Sequence, residues 1–240
     1  MLTLFSYPEL FGIPDNNGYG LKVFAVLRLC RVPFRHEHIL DASSAPRGQL
    51  PYIVDQGETI GDSDTIIAHL VGKYRLTIDD GLISRQRDLD HLVSRVLDDL
   101  YWVMSYSRWK DERFWPLFRD ALLEQHPNLT EAGLTKAREF NFQRYHFQGI
   151  RRYEPEAAYQ RGLADLEVLA HLLPESGYLH GGIPTSIDAG IYGFIANIFF
   201  YPIDTPLKQF VAAHGNLMRH CEAIHAAVAA PVQDRAMQTS

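Results

Sequence analysis

The sequence predicts two domains of different class: a small α/β domain ordered βαβ–ββα, then a larger all-helical domain. Three observations carry this. Short apolar runs bounded by turn residues are confined to the stretch before Gly61. Amphipathic helical periods fill the chain after it. The two textures meet at Thr77-Ile78-Asp79-Asp80-Gly81, which reads as linker. We therefore expect an α/β domain over 1–76, a linker over 77–84, a helical domain over 85–230 and a polar tail over 231–240.

Leu2-Thr3-Leu4-Phe5 is short, apolar and closed by Ser6-Tyr7-Pro8, the pattern of a first strand. Asp15-Asn16-Asn17-Gly18-Tyr19-Gly20 is a turn running into a helix. Val23, Val26, Leu27 and Cys30 recur at helical spacing, and Pro33 ends that helix. Phe34 to Leu40 alternates as a second strand, and Asp41 to Gly48 is a loop by composition. Tyr52-Ile53-Val54 is a third strand, Gln56-Gly57 a hairpin turn and Glu58-Thr59-Ile60 a fourth strand. Ser63 to Tyr74 follows as a helix with Ile66, Leu70 and Tyr74 on one face. Beyond the linker, Leu89, Leu92, Val93, Val96, Leu97 and Leu100 form an amphipathic stripe. Further helices are expected near 112–125, 131–150, 155–173, 187–200 and 205–228.

A chain of 240 residues with 46% hydrophobic content can bury a sizeable core. Its net charge of −6, without a long basic run, argues against nucleic acid as a main partner. Cys30 and Cys221 stand apart, in no CxxC or metal spacing, which fits a reducing, cytosolic compartment. The N-terminus lacks a basic region and its apolar stretch is broken by Pro8 and Glu9, so no secretory signal is expected. No run approaches the roughly 18 apolar residues of a spanning helix. Ile187 to Tyr201, interrupted by Asp188 and Asn197, reads as a buried core helix.

Pro51 at the head of the third strand sits where no ladder donor is needed. Such a proline is often cis, which turns the Leu50 N–H and C=O toward a ligand. Downstream, Asp62-Ser63 opens a helix. Ser63 can cap that helix and donate to a carboxylate at its N-terminus, while Asp62 can pair with an amine. A strand edge beside a carboxylate site and an amine site suits a short extended peptide ligand.

At the first helix start, Asn17 is a preferred cap and also carries two amide donors. Tyr7 offers a second donor and Tyr19 a third. The plain readings stay open: Asn17 as a cap alone, Tyr7 as a half-buried aromatic. Trp102, Tyr106 and Trp109 share one helix face, either as core packing or as the lining of a pocket for an apolar co-substrate. His36 and His38 share a strand face without an evident third ligand, and no metal is expected. The basic, aromatic run Arg144 to Tyr153 reads as a solvated face.

Leu50-Pro51, the hairpin, Asp62-Ser63 and the capping-box pair Thr185 and Asp188, in this order, resemble the glutathione transferase superfamily over nearly the whole chain. The resemblance implies a thioredoxin-like first domain with a mixed four-stranded sheet, and glutathione as co-substrate. It implies that Gln49, Leu50, Pro51, Asp62 and Ser63 hold glutathione, that the Trp102 helix borders the neighbouring site, and that the protein is a homodimer. FSYPELFGIPDNNGYGLKV is similar to the metaxin-like branch, which includes the failed-axon-connections-like proteins. Lining up Leu21-Lys22-Val23 puts Asn17 where that branch and many transferases carry Ser or Cys, and Gly20 on a frequent second Cys. A thiol is thus missing where the Cys-type members use one. We expect Asn17 first, and Tyr7 second, to stabilise the sulfur of glutathione. The expected chemistry is attack of the glutathione thiolate on an apolar electrophile. The alternatives are a non-catalytic assembly module, as the metaxin-like proteins are, and a glutathione-dependent isomerase or dehalogenase.

Overall fold

Alternation in the first strand decides the first packing step: Leu2 and Leu4 turn inward, and Ile53 meets them from the third strand. The computed structural model describes residues 1–229; the polar tail expected at 231–240 lies outside the described residues. Strand β1 (Thr3–Ser6) leads through helix α1 (Gly18–Leu29) to β2 (Arg35–His38). Strands β3 (Tyr52–Asp55) and β4 (Glu58–Gly61) follow, then α2 (Ser63–Tyr74). The four strands make one mixed sheet in the order β2-β1-β3-β4. The β1–β2 pair is parallel, as the intervening helix requires, and the β1–β3 and β3–β4 pairs are antiparallel. Polar β2 forms one edge, where its residues Arg35, Glu37 and His38 discourage further strand pairing.

The remaining described residues are helical: α3 (Ser84–Trp109), α4 (Trp115–Gln125), α5 (Glu131–Gln148), α6 (Pro155–Leu172), α7 (Ser186–Phe199), α8 (Pro206–Ala213) and α9 (Gly215–Ala229). Helix α7 is the axis of this domain, with every residue from Ile187 to Ile198 buried. Its start is fixed by the capping box, in which Asp188 Oδ2 accepts from the N–H and the hydroxyl of Thr185, both at 2.8 Å. Asp188 Oδ1 accepts from Leu179 N–H and His220 Nε2–H, both at 2.9 Å, so this buried carboxylate has four donors.

Two glycines bring α7 against α1. A Cβ on Gly193 would lie 2.4 Å from the Gly18 carbonyl oxygen, and one on Gly18 would lie 3.0 Å from the Phe194 ring. The two domains therefore touch backbone to backbone where α1 begins. Among the described residues no helix is long and apolar enough to cross a membrane.

Two expected helices differ in extent. The one expected from 112 starts at Trp115, because Asp111 first holds a turn, accepting from Arg113 N–H at 3.0 Å. The one expected over 205–228 is two helices, α8 and α9. His214 is extended there (φ −116°, ψ 99°), its Nδ1–H donates to Phe210 O at 2.7 Å, and its ring stacks on Phe210. The apolar spacing runs on in register across that break, so periodicity alone does not reveal it.

Candidate functional site

Between the sheet domain and helices α3 and α5 lies a cleft of about 670 Å³. Its floor is the loop entering β3. The Leu50–Pro51 peptide is cis, and Gln49, Leu50 and Pro51 all line the cleft. Opposite the loop is the N-terminus of α2, where Asp62, Ser63 and Asp64 face the same space.

The α2 start divides its roles differently from the sequence reading. The cap is Asp62, not Ser63: Asp62 Oδ1 accepts from the Thr65 N–H and hydroxyl, both at 3.1 Å. Asp62 does this at φ 74°, a positive value unusual for a non-glycine residue. Its second oxygen meets Arg47 Nη1 at 3.4 Å. With the cap supplied by its neighbour, Ser63 becomes the first helical residue. It is buried, and its hydroxyl has no partner among the described residues. Asp64 pairs with Lys22 of α1.

At the start of α1, Asn17 is the N-cap, its Oδ1 accepting from Tyr19 N–H at 3.0 Å. That engages the acceptor only. The Asn17 Nδ2 donors have no partner among the described residues, and the residue lines the cleft. Tyr7 also lines it with an unpartnered hydroxyl, and burial, then the neighbouring Tyr101, pushes that phenol up to about 12. Tyr7 thus keeps its proton across neutral pH and remains a donor. Tyr19 is committed elsewhere, donating to Asp98 Oδ1 at 2.9 Å.

The loop under these donors is held from behind. Arg108, buried at 6% exposure, donates from Nη1 to Asn16 O at 2.9 Å and from Nη2 to the Asn197 carbonyl of α7, and its guanidinium lies 4.0 Å from the Tyr201 ring. Asn197 Nδ2 donates to Asp15 O at 3.2 Å. Asp15 Oδ1 accepts from Asn17 N–H at 2.8 Å, and burial pushes this carboxyl well above the usual carboxylate range. A Cβ at Gly20 would fall 1.7 Å from Asp15 Oδ2, which explains the glycine at that position.

The aromatic triad of α3 is split. Trp102 lines the cleft. Tyr106 is buried against Tyr145 and Tyr159, and Trp109 stacks on Trp115 at 5.4 Å. One helix face meets the cleft along its first part and the core further on. The cleft face proper carries Arg95, Asp98, Tyr101 and Trp102. Spacings of three and four mark it in the sequence, but polar residues within it hide it from a search for aromatics. Arg144 of α5, expected on a solvated face, instead enters the cleft wall beside Phe140.

The histidine pair lies on β2. Ser6 Oγ and His36 Nε2 are 2.7 Å apart, and burial, with His38 beside it, pushes His36 down to about 4. Among the described residues no group of three His, Cys, Asp or Glu is placed to hold a metal ion. Cys30 and Cys221 are unpaired thiols away from the cleft lining, both pushed up by burial.

Comparison with known proteins agrees with this fold. The family model for the glutathione S-transferase N-terminal domain matches residues 19–114, and that for the C-terminal domain matches residues 162–224. Isoprene-epoxide glutathione S-transferase of Rhodococcus sp. (strain AD45) is 29% identical over 93% of this chain and 98% of its own length. Failed axon connections of Drosophila melanogaster is 26% identical over 92% of this chain, which spans 56% of that longer protein. Metaxin-1 of Sus scrofa is 25% identical over 93% of this chain and 71% of its own. Among solved structures, the beta-etherase LigF from Sphingobium sp. strain SYK-6 superposes with a TM-score of 0.63 at 16% identity, covering 95% of this chain and 97% of that one. A glutathione-bound glutathione S-transferase from Methylobacillus flagellatus gives 0.61 at 13% identity, covering 95% and 98%. With both family domains matched in order on this fold, the protein belongs to the glutathione S-transferase superfamily, on its metaxin-like branch.

Proposed function

We propose that the cleft binds glutathione and promotes attack of its thiolate on a small apolar electrophile. The observation that carries this is the convergence on one cleft of Leu50-Pro51, the Ser63 hydroxyl and two uncommitted donors, on Tyr7 and Asn17. The γ-glutamyl carboxylate would sit on the Ser63 hydroxyl and the free N–H groups of the α2 N-terminus. Its amine would face Asp62 and Asp64, and the Leu50 backbone would pair with the cysteinyl residue. The relative named for isoprene epoxide supports small epoxides as first trial electrophiles.

Thermal unfolding with and without glutathione tests the site. For a dissociation constant of about 0.1 mM, roughly 10 mM ligand stabilises the fold by about 2.7 kcal/mol. The midpoint should then rise by about 5–10 °C, and Ser63→Ala should abolish the rise. An unchanged midpoint in the unaltered protein would sink the reading.

The sulfur donors separate by pH. A free thiol ionises near about 8.5, and donors aimed at it lower that value. Tyr7 keeps its proton below about 12, so the rise with pH of kcat/KM for the electrophile at saturating glutathione should follow the bound thiol rather than this phenol. Tyr7→Phe or Asn17→Ala, whichever removes the working donor, should move that rise toward about 8.5 and lower kcat by about tenfold or more. Neither variant moving it would assign the sulfur to the backbone N–H groups of the α1 start.

A second reading is a non-catalytic interaction module, supported by the relatives Metaxin-1 and Failed axon connections and by the lack of Ser or Cys at the α1 start. Bound glutathione without turnover of any electrophile favours it. The transferase reading also carries a cytosolic location and a homodimer, which fractionation and sedimentation test.

A further inference from the structure

The two other arginines that line the cleft are paired: Arg95 with Asp98 at 2.9 Å and Arg47 with Asp62 at 3.4 Å. Arg144 has no carboxylate partner among the described residues. Its Nη1 donates to Asn141 Oδ1 at 3.0 Å, and Nη1 and Nη2 reach the Tyr101 hydroxyl at 3.3 and 3.2 Å. Its guanidinium lies 5.1 Å from the Trp102 ring, 5.7 Å from Tyr101 and 6.0 Å from Phe140. Phe140 leaves 62% of its surface exposed at this wall. The cation is half-buried, and its field reaches the Tyr7 phenol, which it draws down against the larger effect of burial.

Such a group is an unfinished ion site. A guanidinium offers five donors in a planar fork that matches a carboxylate, and neutral oxygens occupy only part of it here. A partly desolvated cation without an acid partner is costly unless a ligand supplies the charge. The surrounding rings suit a flat apolar body attached to that charge.

We propose that Arg144, with Trp102 and Phe140, forms a subsite for the carboxylate of an aromatic second substrate. This rests on the transferase reading for its chemistry but not for its binding. The carboxylate engages the guanidinium fork, the ring lies between Trp102 and Phe140, and the electrophilic carbon is held toward Tyr7 and Asn17, where the sulfur is placed. With 4-chloro-3-nitrobenzoate as probe, the glutathione thiol gives its proton to solvent. The thiolate then attacks the ring carbon bearing chlorine, the C–S bond forms, the C–Cl bond breaks, and chloride leaves.

Binding is measured first, by quenching of tryptophan fluorescence, because Trp102 reports directly on the subsite. The probes are 3-nitrobenzoate and the near-isosteric, uncharged 3-nitrobenzamide. The benzoate should bind at least about tenfold more tightly than the amide, as a charge-assisted bidentate pair requires. Arg144→Gln should erase the difference, and Arg144→Lys should retain part of it. Glutathione affinity should be unchanged in both variants. Equal binding of the two probes, or a preference that survives in Arg144→Gln, overturns the proposal. A tenfold loss of glutathione affinity in Arg144→Gln also overturns it, assigning the cation to a glutathione carboxylate instead. Turnover of 4-chloro-3-nitrobenzoate and 4-chloro-3-nitrobenzamide, each divided by its uncatalysed rate, is measured second. A benzoate preference in binding without turnover of either compound retains the subsite and removes these compounds as electrophiles, the transferase reading being decided by the glutathione test above.

Discussion

Asp188→Ala is expected to destabilise the protein by about 3–5 kcal/mol, the cost of leaving several fully buried donors without their acceptor. The carboxylate accepts four hydrogen bonds, and its removal strands the Leu179 and Thr185 N–H groups and His220 Nε2–H inside the helical domain. Asp188→Asn should recover less than half of the loss, because an amide nitrogen would face a donor on one side. Urea unfolding followed by circular dichroism reads both values. Burial alone would raise this carboxyl, but the His220 hydrogen bond and the Leu179 and Thr185 N–H groups outweigh it and hold it below its ordinary value. A depressed acid contributes stability that is present above the unfolded carboxylate value, about 3.9, and is lost as pH falls through the folded one. The parent protein should therefore lose stability more steeply than Asp188→Ala as pH drops below about 4. Equal slopes would show that the cluster carries little of the acid sensitivity.

Gly193→Ala is the second large effect. The added Cβ would meet the Gly18 carbonyl oxygen at 2.4 Å and the Lys22 nitrogen at 3.0 Å, both backbone atoms that no rotamer change can move. Helices α1 and α7 must part by about 1 Å to restore ordinary contact. The expected cost is about 3 kcal/mol, at the upper end for overpacking. The start of α1 carries Asn17, so glutathione binding should weaken in the same variant. Gly190→Ala, one turn away, is the control: its Cβ would meet Leu97 at 3.5 Å, an ordinary contact. It should be neutral or slightly stabilising, through the helix preference of alanine. Similar losses in both variants would show that the damage is general to α7 rather than specific to the crossing.

The local part of this structure was open to sequence reasoning. The hairpin and the proline and acidic–serine pairs rest on neighbours a few residues apart. So does the Thr185–Asp188 box, and spacing suffices to place such features. The mixed sheet, which joins strands over 30 residues apart in the chain, was implied only by the family resemblance. What stayed hidden depends on distant partners. Arg108 and Asn197 are far apart in the chain, yet together they hold the loop at Asn16, and nothing local marks either as a support. Arg144 carries the same charge as its neighbours Arg151 and Arg152, and only the approach of α3 draws it into the cleft. The capping role passed from Ser63 to Asp62 for a subtler reason. Both are good caps, and the side chain that reaches the Thr65 N–H is that of Asp62, which composition does not announce.

The backbone crossing of α1 and α7 joins the two domains whose other elements wall the cleft. A pair of lobes joined by a supple strap can shut over a ligand and drive out solvent in one movement. Domains that meet glycine to glycine where α1 begins leave little room there for such a stroke. On the proposed transferase reading, water would then be kept from the sulfur by the second molecule, whose apolar body would cover the cleft. Selectivity in such a vessel is a matter of which guests make an adequate stopper.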